Sequence, residues 1–177
     1  MPLYEFEGKR PEINQTAWIA PSADIIGDVK IGAKCYVGWQ AVLRGDHGTI
    51  VIGEGSAIEE GVIIHTSPEF VCRIGNEVTI GHGALLHDAT IEPFAVIGIR
   101  ATVSNYATVG EWSIIGEMGL VKEHQEVPQG VIGVGQPVQI IGVVEERHKK
   151  RWIMGKKHYQ EFTKRNQKGV RKIGIDE

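Results

Sequence analysis

The chain is poor in leucine. It has 5 Leu among 177 residues, against 23 Ile and 18 Val. Leucine leads in helical proteins and β-branched residues lead in strands, so this imbalance excludes a helix bundle or coiled coil and points to an all-β protein. Cysteine is scarcer still. Cys35 and Cys72 make no disulfide framework. No apolar run reaches the roughly 18 residues that a membrane-spanning helix needs. The opening MPLYEFEGKRPEI has the pattern of neither a secretory signal nor an Arg-rich transit peptide, so a cytoplasmic protein with no membrane partner is expected. With 42% hydrophobic and 23% charged residues, the chain is not disordered. Its length suits about one domain with a core of its own.

The net charge of −3 conceals two halves of opposite sign. Residues 1–142 hold 8 Lys/Arg and 17 Asp/Glu, whereas residues 143–172 hold 11 and 3. A basic tail on an acidic body reads first as a solvated surface, or one packed on its own or a neighbour's acidic body. No RNP, helix-turn-helix or zinc-finger pattern accompanies it, so no nucleic-acid partner is expected.

An aliphatic residue recurs every six positions: Ile19, Ile25, Ile31, Val37, Leu43, then Ile52, Ile58, Ile64, then Ile74, Ile80, Leu86, and, after one step of five, Ile91, Ile97, Val103, Val109, Ile115, Val121. A compact residue usually sits two positions earlier, and glycine often follows. Neither a helix nor a long alternating strand has a period of six, whereas a hexapeptide repeat reads as a parallel β-helix. Each hexad makes one side of a triangular coil. Seventeen hexads predict about six coils stacked at about 4.8 Å. Cys35 and Cys72 fall at inward compact positions and read as core. The ladder breaks between Leu43 and Ile52 and between Ile64 and Ile74, and extra residues in a solenoid are expected as loops on the functional face. These hold Gly45-Asp46-His47 and Thr66-Ser67-Pro68-Glu69. The solenoid is expected over 1–141. Residues 142–177 are expected as a C-terminal helix on its flank, helical from Val143 to about Asn166, with Val144, His148, Trp152, Tyr159 and Phe162 on one face.

Coil arithmetic brings histidines together. Leu43, Ile64 and Leu86 are each three sides apart, so the outward residues after them, Arg44, His65 and His87, stack on one face. His65 and His87 then approach to about one strand spacing, which suits two ligands of one metal. A single outward histidine on a solenoid is ordinarily only a surface residue. Here two occupy equivalent positions of adjacent coils. His82 lies around the corner and is poorly placed to join them within one chain. It could reach them from a neighbouring chain that packs its face beside theirs, a heterologous contact that a three-fold ring closes. Three imidazoles and an open position describe a catalytic metal site, with Zn2+ expected and Fe2+ or Co2+ also fitting.

The run Val42-Leu43-Arg44-Gly45-Asp46, then Ile63-Ile64-His65, then Ile80-Gly81-His82-Gly83-Ala84-Leu85-Leu86-His87 resembles the γ-class carbonic anhydrase family over about residues 10–140. The tail from Trp152 through His158-Tyr159-Gln160 to Arg165 is similar to the branch of phenylacetate-degradation and carnitine-operon proteins. The resemblance implies a left-handed β-helix and a homotrimer with metal sites at its interfaces. His65 and His87 would come from one chain and His82 from the next, with Arg44 and Asp46 pairing beside them. It implies reversible hydration of CO2 to bicarbonate by a metal-bound hydroxide. Glu59 stands where many members carry a glutamine that orients the metal's water, and His47 where the prototype has a glutamate. His47 has the unperturbed pKa range of a proton shuttle. Glu69 is a weaker candidate, and Tyr159 is expected over the site. Rival readings are a metal-dependent acyl-CoA thioesterase, with Arg147, Lys149, Lys150, Arg151, Lys156 and Lys157 on CoA phosphates, and a catalytically inactive trimeric assembly protein. Acyl transfer on this fold needs no three-histidine cluster.

Overall fold

A computed structural model describes residues 3–174. The period of six folds as a parallel β-helix of the expected left-handed type, followed by one α-helix. All seventeen ladder residues point inward, none more than 6% exposed. The first side stacks Ile25, Leu43, Ile64, Leu86, Val103 and Val121 in register. The second runs from Ile13 through Ile31, Ile52 and Ile74 to Val127, and the third from Ile19 through Val37, Ile58 and Ile80 to Gly133. There are about seven coils, one more than expected. Ile13 opens the stack below the first readable hexads, and Gly133 fills the last inward slot with no aliphatic side chain to betray it. Cys35 and Cys72 are fully buried, and burial pushes their thiols up to about 11 and about 12.

The first ladder break is not an extruded loop. The strand Val42–Ile52 continues through it around the corner from the first side to the second. Gly45 pairs with Gly27, Ile50 with Val29, and the extra residues between bulge out of register. A Cβ on Gly45 would meet the Asp28 carbonyl oxygen at 2.5 Å, so only glycine lets the two backbones approach this closely. The second break is a loop, residues 66–70, between the strands Ile63–His65 and Val71–Ile74.

The chain does not pass directly into the helix. Residues Val131–Val134 and Gln139–Val143 form an antiparallel hairpin, with Gln136-Pro137 in its turn. The helix spans Glu146–Gly169, so Val144 precedes it. Its 24 residues rise about 36 Å, and seven coils rise about 34 Å, so the helix straps nearly the full height of the third side. The seam is Trp152, Lys156, Tyr159, Thr163 and Asn166, a 4-3-4-3 spacing with more polar residues than the apolar face expected. Tyr36 anchors it by ring contacts with Tyr159 and Phe162. No helix among the described residues is long and apolar enough to cross a membrane.

Candidate metal centre

The strands Ile63–His65 and Leu85–His87 pair in parallel, so His65 and His87 face outward in register above Arg44. Their ring centroids lie 4.9 Å apart, one strand spacing, as the coil arithmetic required. His65 Nδ1 faces His87 Nε2 at 3.0 Å. Behind His65, its Nε2 lies 3.2 Å from Asp46 Oδ1. Asp46 is fixed in turn: Arg44 Nη1 donates to its Oδ2 at 2.6 Å and the His47 amide to its Oδ1 at 3.0 Å. Desolvation raises the Asp46 carboxyl, but the hydrogen bonds from Arg44 and His47 and the Arg44 charge outweigh it and hold the group below the usual range. Desolvation and the Arg44 charge together lower His65, which favours the neutral imidazole a metal ligand must be.

His87 is backed by a second carboxylate. Its Nδ1 is buried without a hydrogen-bond partner and lies 3.2 Å from Asp88 Oδ2. Asp88 is fully buried and accepts from the Ser67 amide, Thr66 Oγ1 and Asn105 Nδ2 at 2.6, 3.1 and 3.1 Å. Desolvation raises its carboxyl, and the hydrogen bonds from Ser67 and Thr66 with the His87 charge bring it below the usual range.

His82 sits apart, in the turn before the strand Leu85–His87, with His87 at that strand's far end. Its Nε2 lies 3.1 Å from Glu59 Oε2 and its Nδ1 2.7 Å from Glu60 Oε2. Tyr36 Oη donates to Glu60 at 2.5 Å. Burial raises Glu59, against the lowering influence of Tyr159 and His82. Tyr159 packs against Tyr36, beside the glutamates on the His82 side. Its phenol and that of Tyr36 are both raised by desolvation and the neighbouring glutamates. His47 is exposed, its ring 6.3 Å from His65, and Glu69 is exposed on the loop. Lys156 cannot meet a phosphate as the thioesterase reading expected: it is 2% exposed and donates to Thr79 Oγ1 and the Ala95 carbonyl.

The donors on the first side suit a metal. Two nitrogen ligands of one tetrahedral ion at 2.0–2.1 Å stand about 3.4 Å apart, near the spacing of the two facing nitrogens. The nitrogens that face each other are the ones turned away from the carboxylates, the arrangement that carboxylate-backed histidine ligands adopt. Within one chain the set is incomplete. Among the described residues, no three His, Cys, Asp or Glu side chains converge to hold a metal.

Beside His82, a groove of about 370 Å³ runs along the third side, lined by Glu59, Val96, Ile99, Ile114, Glu117 and Trp152. The first side carries an apolar column next to the histidines. Val42, Ile63 and Leu85 stack in register, and Ile63 and Leu85 are 45% and 41% exposed. Glu60, Tyr36 and Asp88 escaped sequence reasoning. The register did hold a signal for Glu60, which follows Glu59 as His82 follows Gly81 one coil above. Asp88 follows a ligand at a corner, where its φ of 48° is the conformation glycine favours.

Comparison with known proteins places this architecture among relatives. The chain is 36% identical over 167 residues to the carnitine operon protein CaiE of Escherichia coli O157:H7, covering 93% of this chain and 84% of that protein. A solved Bacillus cereus structure, provisionally assigned as an acetyltransferase, superposes with a TM-score of 0.89 at 28% identity, covering 91% of this chain and 94% of that one. A hexapeptide transferase family protein from Anaplasma phagocytophilum gives 0.88 at 31%, covering 92% and 96%. No family model matches the chain.

Proposed function

This chain belongs to the hexapeptide-repeat family that contains the carnitine operon protein CaiE, and from that premise we propose that it is a γ-carbonic anhydrase-like metalloenzyme, a homotrimer that interconverts CO2 and bicarbonate. The observation that carries this reading is the pair of in-register imidazoles, His65 and His87, with facing nitrogens 3.0 Å apart and a carboxylate behind each. Zn2+, with Fe2+ or Co2+ as alternatives, would be held by His65, His87 and the His82 of a neighbouring copy. When bound, the metal supplies Lewis-acid activation of water near neutral pH.

The chain's own residues do the rest. Asp46, held by Arg44, fixes the Nε2–H tautomer of His65 and leaves Nδ1 free to ligate. Glu60, held by Tyr36, restrains His82 through Nδ1. Glu59 and Tyr159 line the approach beside His82. His47, exposed and one ring away from His65, stands where a proton can pass to solvent. The apolar column of Val42, Ile63 and Leu85 supports burial of this face against a second copy.

A stopped-flow assay of CO2 hydration on zinc- and iron-loaded protein tests the reading. Wild type is expected to exceed the buffer rate and His82→Ala to lose both activity and metal while remaining folded. A fully metallated wild type with no rate above buffer sinks it. One observation favours a second reading, acyl-group chemistry. The apolar groove ending at His82 and Glu59 is larger than CO2 requires, and solved relatives carry transferase names. Release of free thiol from a panel of acyl-CoAs, with and without acceptor amines, separates hydrolysis and acyl transfer from CO2 hydration. Retained metal with no turnover of any of these would point to an assembly role.

A further inference from the structure

The two ends of the solenoid are finished differently. At the first end the outermost strands, Leu3–Tyr4, Glu12–Ile13 and Trp18–Ile19, are two residues long, and Glu5, Glu7, Lys9, Arg10 and Glu12 surround them in the sequence. Short strands and charges guard a sheet edge, because an open row of amides and carbonyls pairs with any strand that meets it. At the other end the first side is capped. The Leu120 amide donates to the Gly135 carbonyl, and the Val138 amide donates to the Leu120 carbonyl. The third side has no such cap. It ends in the strand Gln139–Val143, the outermost of eight, which pairs only with Val131–Val134 among the described residues. Val144 donates inward to the Gly130 carbonyl at 2.7 Å, so alternation turns the amide and carbonyl of Val143 to the open edge. This edge is also uncharged. Residues 127–144 hold no Asp, Glu, Lys, Arg or His, the longest such run in the chain. Ile140, Ile141 and Val143 are 55%, 65% and 65% exposed. The register shift opposite Ile132 and Gly133 breaks the alternation that would turn one of the two isoleucines inward. Glu145, the next charge along the chain, is already paired with Arg147 at 2.8 Å.

We infer that this edge is an interface between two copies of the chain, joined end to end about a two-fold axis. Such an axis sets the strand antiparallel to its own copy, so the donors and acceptors of one edge meet the acceptors and donors of the other. Charge selects a second copy as the occupant. Residues 1–142 hold 8 Lys/Arg against 17 Asp/Glu, so two bodies repel across most approaches. At the charge-free end they meet without that repulsion, and Ile140, Ile141 and Val143 of each copy leave water together. The contact is isologous and closes on itself. It is therefore compatible with the ring of the proposed function, as two rings stacked end to end, but it rests on neither the ring nor the metal.

Ile141→Lys is the test, read by light scattering and sedimentation velocity over a dilution series. The side chain is exposed, so the circular dichroism spectrum should not change. Two lysines brought together at the two-fold axis repel, and the edge gains the charge that guards other edges. Wild type is expected to have twice the mass of the variant. Met154→Lys is the control. It places the same charge on an apolar residue of the helix that is 69% exposed, and it should keep the doubled mass. Equal masses for wild type and Ile141→Lys overturn the inference, as does a halved mass for Met154→Lys. A wild-type mass that grows without limit on concentration also overturns it, because a two-fold contact closes. Should Ile141→Lys not fold, wild type decides alone, since one or three chains contradict the pairing. The ratio of masses judges the edge and the absolute masses judge the ring. Six chains falling to three support both, whereas two falling to one keep the edge and remove the homotrimer of the proposed function.

Discussion

At the scale of single residues, Lys156 is the oddity. It occupies the seam of the helix where an aliphatic residue is expected, and no carboxylate lies within ion-pair distance among the described residues. Desolvation pulls its ammonium down to about 8, against the raising charges of Glu77 and Glu59. The unfolded chain, with an ordinary lysine near 10.5, therefore holds more protons than the native state between about pH 8 and 10.5. Stability is expected to rise with pH across that window, and the full cost of the buried charge is present below it. Lys156→Met should stabilise the protein at pH 7 by on the order of 2–3 kcal/mol and remove the rise. Chemical denaturation of both proteins at pH 7 and pH 10 measures this, and an equal difference at the two pH values would refute it. Residues of this kind were not legible in the sequence. The basic helix read as a solvated face, and no pattern marks which of its lysines the seam takes in. His65 and His87 were legible because the ladder fixes register and register fixes direction.

Elements show where register arithmetic succeeds and where it runs out. The hexad count put Leu43, Ile64 and Leu86 on one side, and the parallel pairing has them there. It also predicted a loop where the chain keeps a strand. A count of surplus residues cannot tell an extruded loop from a bulge. The difference lies in the close approach of Gly27 and Gly45, a three-dimensional fact about two backbones. This bulge sets the chain between Arg44 and Asp46, and so the hydrogen bond that orients His65. Gly45→Ala is expected to cost about 3 kcal/mol, because the new methyl meets the backbone of Asp28 with nothing flexible to yield. Guanidinium midpoints report the loss, and zinc affinity should fall with it as Asp46 is displaced. Unchanged stability would mean that the bulge relaxes freely and does not hold the site. The helix starts later than its sequence pattern suggests, for a related reason. Val143, expected as the first helical residue, instead closes the strand Gln139–Val143, and only the antiparallel pairing onto Val131–Val134 decides this.

At the scale of the whole molecule, the solenoid separates His82 from the pair that it would join in the proposed site. Parallel coils can stack His65 on His87 indefinitely, but His82 faces away from the pair because it precedes a strand that His87 ends. A site built from all three must therefore cross between copies, and the exposed column of Ile63 and Leu85 beside the pair gives such a contact an apolar surface to bury. In the proposed site the contact would be heterologous, one copy offering the pair and the next offering His82, and a ring would close it. Complementation tests this directly. His82→Ala alone and His87→Ala alone should each bind no metal, because each lacks one donor at every interface. Co-refolded in equal amounts, they form mixed rings, and an interface is intact when a His82→Ala chain supplies the pair to a His87→Ala neighbour. Random mixing makes about one interface in four complete. Zinc content of the mixture should then recover to about a quarter of wild type. Were the three ligands drawn from a single chain, no mixture of the two variants would recover any zinc, because every chain would still lack a donor.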